Sequence, residues 1–475
     1  MLIRSILGLV LLLYLGPSLQ AQTPAPLDAE IEQTAQSLIR SSFTDDIGLN
    51  FVEGLTTEIG PRLAGSEAEA LARKWSVEKL QDIGFENVRV EGFDIPYWSR
   101  LSEHVVLHTP IPQTLVATAL GGSTPTPPAG VRSGVVRFES LADLRAAPIS
   151  QIDGRIVFID EVMTRTMDGS GYGMAVRKRS QCAQVASDKG ALACLIRSVG
   201  TQPHRMPHTG IMAREGAEGA GPVAAISGPD ADQLTRLLQR GPIEVTVKIQ
   251  TEIKTKVPSG NVIAELPGTD LADEIILLGC HLDSWDLGTG ALDDGAGCGI
   301  IVGAASQIAA LPERPRRTLR LVLYGAEEVG LFGATAYARR HGDELDKHVL
   351  AAESDFGAGP IWRFQTRFGE AALPYARTLQ ALLSPLGVTP GDNRAFGGPD
   401  IGILARAGVP VVTPGQNGLD YFDYHHTPDD TFDKIDRDEF RQNVAVYAAF
   451  AYVAAATGWD FRKQPEPDPM MLGTE

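Results

Sequence analysis

The stretch Glu274-Ile275-Ile276-Leu277-Leu278-Gly279-Cys280-His281-Leu282-Asp283 decides the fold. Its apolar run is short and unbroken, without the alternation of a half-solvated strand, so it reads as a strand buried on both faces. Two similar runs follow. Thr318 to Gly325 leads into Ala326-Glu327-Glu328, and Val349 to Ala352 leads into Glu353-Ser354-Asp355. Helical patterns separate them, which is the signature of an α/β fold with a mostly parallel central sheet covered by helices on both faces. Ligands of such sheets bind beyond the carboxyl ends of the strands. His281, Glu328 and Asp355 are therefore expected at one site, although 74 residues (355 − 281) separate the outer two.

Two further segments join them. Gly290-Ala291-Leu292-Asp293-Asp294-Gly295-Ala296-Gly297 opens a Gly/Ala/Ile-rich helix running to about Ala310, and Tyr424-His425-His426-Thr427-Pro428-Asp429-Asp430-Thr431 follows a short strand, Val409 to Thr413. Adjacent aspartates at a helix start can be a plain N-cap. In company with imidazoles and other carboxylates they suit zinc. Three carboxylates (Asp293, Glu328, Asp355) and two neutral imidazoles (His281 and one of the pair His425/His426) leave two Zn²⁺ ions one positive charge in excess, which favours a bridging hydroxide. Glu327, beside Glu328, is then the expected general base, and Asp283 is expected to hold the other ring nitrogen of His281.

These motifs, with Ile59-Gly60-Pro61-Arg62-Leu63-Ala64-Gly65-Ser66, Leu195 to Val199 and Pro207-His208-Thr209-Gly210-Ile211, resemble the co-catalytic dizinc exopeptidases, which include bacterial leucyl aminopeptidases and glutamate carboxypeptidases. The resemblance covers most of the chain. It implies that Asp293 bridges two zinc ions, that His281 and Asp355 hold one and Glu328 and His426 the other, and that Glu327 moves the proton. It selects His426 because the ligand stands immediately before the Thr. It also implies a protease-associated insertion, small peptide substrates (dipeptides with free termini in particular) and a homodimer. His208 is a candidate substrate contact in a roof formed by that insertion.

Outward from the site, Leu27 to Arg40, Asp45 to Leu55 and Glu67 to Ile83 read as helices, the last stopped by Gly84. Val88 to Phe93 and Ser102 to Leu107 read as two strands. Gly121 to Gly130 is Gly/Ser/Thr/Pro punctuation that opens a region of short strands and one helix, Val176 to Lys189. Pro258 marks the return to longer strands. The expected division is a signal peptide at 1–21, a catalytic part at 22–119, the protease-associated insertion at 120–250, the rest of the catalytic domain with the metal site at 251–462, and a tail at 463–475.

Location and partners follow from the termini and the charge. Met1 to Arg4 is positive, Ser5 to Gly16 is apolar but too short to span a bilayer, and Ala21 offers a small residue for cleavage. A secreted or periplasmic protein is expected, with no membrane attachment after cleavage; the alternative is an uncleaved N-terminal anchor, since Leu19 stands where signal peptidase wants a small residue. The net charge of −17 over 475 residues excludes nucleic acid as a natural partner, since phosphate binding needs a basic surface. Four cysteines, Cys182, Cys194, Cys280 and Cys298, leave buried thiols and two disulfides both open. Three other activities are compatible with parts of these motifs: an aminopeptidase on longer peptides, a single-zinc cyclase acting on N-terminal glutamine, and an inactive receptor or scaffold. The complete set of five ligands and a base argues against the last two.

Overall fold

The computed structural model describes residues 23–212 and 221–462. The expected signal peptide and tail lie outside the described residues. No helix among the described residues is long and apolar enough to cross a membrane.

The chain enters its sheet on β1 (Glu86–Leu107). It then makes β2 (Gln113–Leu115), β3 (Ala117–Ala119), β4 (Val131–Phe138), β5 (Ile156–Ile159), β6 (Ala193–Arg197) and β7 (Val223–Ile226), and returns on β8 (Glu244–Leu266). β1 and β8 form one long antiparallel ribbon, paired from Glu86 opposite Glu265 to Leu107 opposite Val245. The strands between them build a second unit in which β4, β5, β6 and β7 run parallel and β3 closes the edge against β7.

Six strands complete the central sheet: β9 (Leu271–His281), β10 (Arg317–Tyr324), β11 (His348–Glu353), β12 (Ile361–Arg367), β13 (Thr389–Pro390) and β14 (Val411–Gln416). Their order is β13-β12-β14-β11-β9-β10-β8. β14, β11, β9 and β10 run parallel at its centre, flanked by antiparallel β12 and β8. The apolar run of β9 is needed on both sides. Ile276, Leu278 and Cys280 pack towards helices Ala296–Ala309 and Arg437–Ala456, whereas Ile275 and Leu277 face Tyr337 and Leu404. Full burial of each such Leu or Ile contributes about 1.5–3 kcal/mol.

Local chemistry sets the ends of the elements. Helix Glu67–Ile83 has the expected limits: the Ser66 hydroxyl accepts from the Glu69 amide at 3.1 Å, and Gly84 leaves the helix at φ 102°. The two strands expected within 88–107 are one, because register shifts at Ile95/Tyr97 and Arg100/Ser102 interrupt the alternation without ending the strand. β8 likewise runs through Pro258. β10 pairs only with its residues 262–266, so Pro258 stands where β8 has β1 as its single neighbour, the kind of edge position where a residue without an N–H is tolerated. Helix Ser170–Ser187 begins six residues before the expected Val176, where the Asp168 carboxylate accepts from the Ser170 amide and hydroxyl.

Cys182 is bonded to Cys194 and Cys280 to Cys298, which settles the open alternative in favour of two disulfides. The second joins the end of β9 to helix Ala296–Ala309, immediately before His281.

Candidate active site

β9 delivers His281 at its carboxyl end, where the ring is held from behind. Its Nδ1–H donates to the Asp283 carbonyl oxygen at 2.9 Å, which turns Nε2 towards Asp293 Oδ1 at 3.0 Å and Asp355 Oδ1 at 3.6 Å. The carboxylate of Asp283 does something other than hold that ring. It lies 3.8 Å from Nδ1 and instead accepts from the backbone amides of Glu327 at 3.0 Å and Glu328 at 3.3 Å. Asp283 thus fixes the turn that follows β10, where Ala326 adopts φ 58°.

Asp293 and Asp294 are joined by a cis peptide bond and have separate tasks. Asp294 accepts from the His281 amide at 3.0 Å and the Gly297 amide at 3.1 Å, tying the start of helix Ala296–Ala309 to the end of β9. Gly297 permits this approach, since a Cβ there would collide with the Ser354 carbonyl and the Asp294 carboxylate. Asp293 points into the site. Its Oδ1 faces His281, while its Oδ2 lies 3.1 Å from His426 Nε2. His426 Nε2 is also 3.0 Å from Glu328 Oε2, and His425 Nε2 stands farther from Asp293, at 3.5 Å.

The Nδ1–H of His426 donates to the Thr209 carbonyl at 3.1 Å, so His281 and His426 both turn Nε2 to the Asp293 carboxylate. His208 is 1% exposed and does not open into this space. Its Nδ1–H donates to the His425 carbonyl at 2.5 Å, and its Nε2 accepts from the Gln202 amide at 3.4 Å.

Two residues that the sequence reading left without a role complete the frame. The Asp430 carboxylate accepts from the Leu292 amide at 2.6 Å and the Asp293 amide at 3.2 Å. The fully buried Arg62 guanidinium donates to the carbonyls of Leu282 at 2.5 Å, Thr289 at 2.6 Å and Gly290 at 2.8 Å, gathering the loop between His281 and Asp293. Both lie inside quoted motifs, so the signal was position. Glu353, two residues before Asp355, turns away and accepts from the Ile401 amide at 2.9 Å.

The electrostatics call for cations. Burial and neighbouring acids raise Glu327 well above the ordinary carboxylate range, burial and Asp293 push Glu328 up to about 7, and the same causes push Asp430 up to about 7. Burial alone would depress His281 and His426, yet the surrounding carboxylates carry both well above the usual histidine value. Asp293 Oδ2 and Glu328 Oε1 are buried without an aligned hydrogen-bond donor. Donor atoms of His281, Asp293 and Asp355, and of Asp293, His425 and His426, lie within 4.8 Å of one another in each group. Nitrogen and carboxylate donors around oxygens that lack donors fit divalent metal.

Beside Asp355 a cavity of about 130 Å³ is walled by Phe356, Trp362, Phe396 and Pro399, with Asp168 and Arg363 at its polar margin. No local pattern marked these residues, because they come from segments far apart in the sequence, Trp362 and Arg363 from β12 and the others from loops.

Fold and site together define a metallopeptidase. Residues 261–451 match Peptidase family M28. Carboxypeptidase Q of Mus musculus is 35% identical over 84% of both chains, and carboxypeptidase Q of Homo sapiens is 34% identical over the same shares. The crystal structure of a peptidase M28 precursor from Shewanella amazonensis SB2B superposes with a TM-score of 0.90 at 46% identity, covering 92% of this chain and 99% of that one. The zinc aminopeptidase of Bacillus subtilis shares the fold, with a TM-score of 0.64 at 20% identity over 89% of this chain and 98% of that one. The chain belongs to peptidase family M28.

Proposed function

We propose that this metallopeptidase is a secreted or periplasmic dizinc exopeptidase that hydrolyses dipeptides or short peptides with free termini. One observation carries the reading: the two oxygens of Asp293 face different histidines, His281 on one side and His426 on the other. Asp293 would lie between two zinc ions, with His281 and Asp355 holding one and Glu328 and His426 the other. Bound zinc lowers the pKa of water to roughly 7 and polarises a carbonyl oxygen.

The chain's own residues supply the rest. Glu327 is half-buried next to Glu328, and its environment gives it a firm hold on a proton, so it takes the proton of the attacking water and returns it to the leaving amine. Asp283 keeps the Glu327 backbone in place. Phe356, Trp362 and Phe396 offer an apolar wall to a substrate side chain next to Asp355. Residues 120–250 would be the protease-associated insertion, whose contact with the 417–426 loop restricts access by long chains.

The test combines zinc analysis with a dipeptide library and matched peptides blocked at either end. Two zinc ions per chain and slow cleavage of blocked dipeptides are expected. Equal cleavage of N-acetylated and free substrates would overturn the need for a free amine, and rapid removal of N-terminal residues from long peptides would favour aminopeptidase action.

A further inference from the structure

Four of the five residues assigned to metal, namely His281, Asp293, Glu328 and Asp355, stand at or just beyond the ends of central strands or on turns braced by Asp283, Asp294 and Asp430. His426 is different. It adopts φ 61°, a conformation that β-carbon sterics disfavour, at the end of the loop 417–426. The partners that hold this loop come largely from the second unit, between β1 and β8.

Thr209 and His426 are joined twice: the Thr209 amide donates to the His426 carbonyl at 3.0 Å, and the His426 ring donates to the Thr209 carbonyl at 3.1 Å. His208 adds its bond to the His425 carbonyl, and its own amide is anchored to Ser198 Oγ at 2.6 Å, beyond the end of β6. Farther out, Arg165 donates to both oxygens of Asp423 at 2.6 and 2.9 Å, Thr201 Oγ1 donates to the same carboxylate at 2.7 Å, and the Thr201 amide reaches the Phe422 carbonyl at 3.1 Å. The Gly418 amide donates to the Met167 carbonyl at 2.9 Å. A ring whose Nδ1 partner belongs to another unit is aimed only while that unit is in place.

We propose that the second unit, through His208, Thr209 and Arg165, positions His426, so that occupancy of one of the two metal positions depends on this unit while the other does not. His208 and Arg165 are positioning residues. The inference rests on the dizinc reading and deepens it: the two zinc ions are held unequally, and the metal of Glu328 and His426 is the one released first when the clamp is weakened.

Zinc content of the full-length protein during graded chelation, followed by elemental analysis, tests this in the wild type and in His208→Ala, His208→Asn and Arg165→Ala. Loss of a hydrogen bond directly behind a ligand typically weakens metal binding about 10- to 100-fold, and His208, which bonds the carbonyl of the residue before His426, is expected at the lower end, about 10-fold. In His208→Ala one zinc should leave at a chelator concentration lower by about that factor while the second follows the wild-type curve, and His208→Asn, which keeps an N–H donor, should recover part of the shift. If His208→Ala does not fold, Arg165→Ala, at the solvent-exposed edge of the clamp, carries the same expectation. Parallel release of both ions, or release as in the wild type, overturns the inference. A wild-type protein that takes up a single zinc removes the dizinc reading itself, an outcome visible before any variant is made.

Discussion

The Glu327 amide donates to the Asp283 carboxylate at 3.0 Å, joining the residue that follows β9's histidine by two positions to the residue that follows β10 by three. Asp283 is fully buried, so the bond is not exchanged for water. Asp283→Asn would turn an amide N–H towards one of the two backbone donors and release the turn. A fall in kcat/KM of about 10- to 100-fold is expected, measured with a dipeptide substrate. Unchanged kinetics would show that the turn stands without it.

Glu327→Gln removes the proton acceptor and keeps the shape. Proton transfer by a positioned side chain is worth about 10²- to 10⁴-fold, so kcat should fall by that factor while zinc content stays as in the wild type. Loss of zinc together with activity would make Glu327 a ligand instead of a base.

The adjacent histidines separate cleanly. His426 Nε2 lies within 3.1 Å of two carboxylates, whereas His425 Nε2 is 3.5 Å from one. His426→Ala should halve the bound zinc and His425→Ala should leave it intact; the reverse pattern would exchange their roles.

Metal removal should invert the pH dependence of stability. Glu328 and Asp430, each pushed up to about 7, and Glu353, pushed up to about 8, bind protons more tightly in the folded chain than in the unfolded one. A raised carboxylate is stabilising to the fold only while protonated, so stability falls as pH rises from about 4.5 through 7 and 8. His281 and His426, also raised, act in the same direction, since their bound protons are lost at high pH. The chelated protein should therefore show a lower Tm at pH 8 than at pH 5, and zinc should restore most at pH 8. A Tm of the chelated protein that rises over this interval would contradict the charge balance.

The buried strands and the polar residues that gather at their ends were legible because one physical fact fixes both: a parallel strand covered on two faces is continuously apolar, and the polar residues that end it stand at the crevice. Glu67–Ile83 was legible to the residue through its apolar spacing and Gly84. The length of β1 and β8 was not, since bulges and Pro258 imitate strand ends when the neighbouring strand is unknown. Nor was the task of Asp283, because spacing shows proximity to His281 but not which of its groups, carbonyl or carboxylate, faces the ring. His208 was singled out by its motif, yet only the tertiary contact shows its ring against the His425 carbonyl. The wall of Phe356, Trp362 and Phe396 leaves no periodic trace, being assembled from two loops and the start of β12.

The pairing of Leu107 with Val245 has one more consequence. Partners on adjacent strands lie about 5 Å apart, so the polypeptide departs for the second unit and comes back through a doorway one strand spacing wide. Residues 108–244 are in this sense a graft on a hairpin: a short turn would suffice to rejoin the stump, and the loop of His426 would then face solvent where Thr209 now stands.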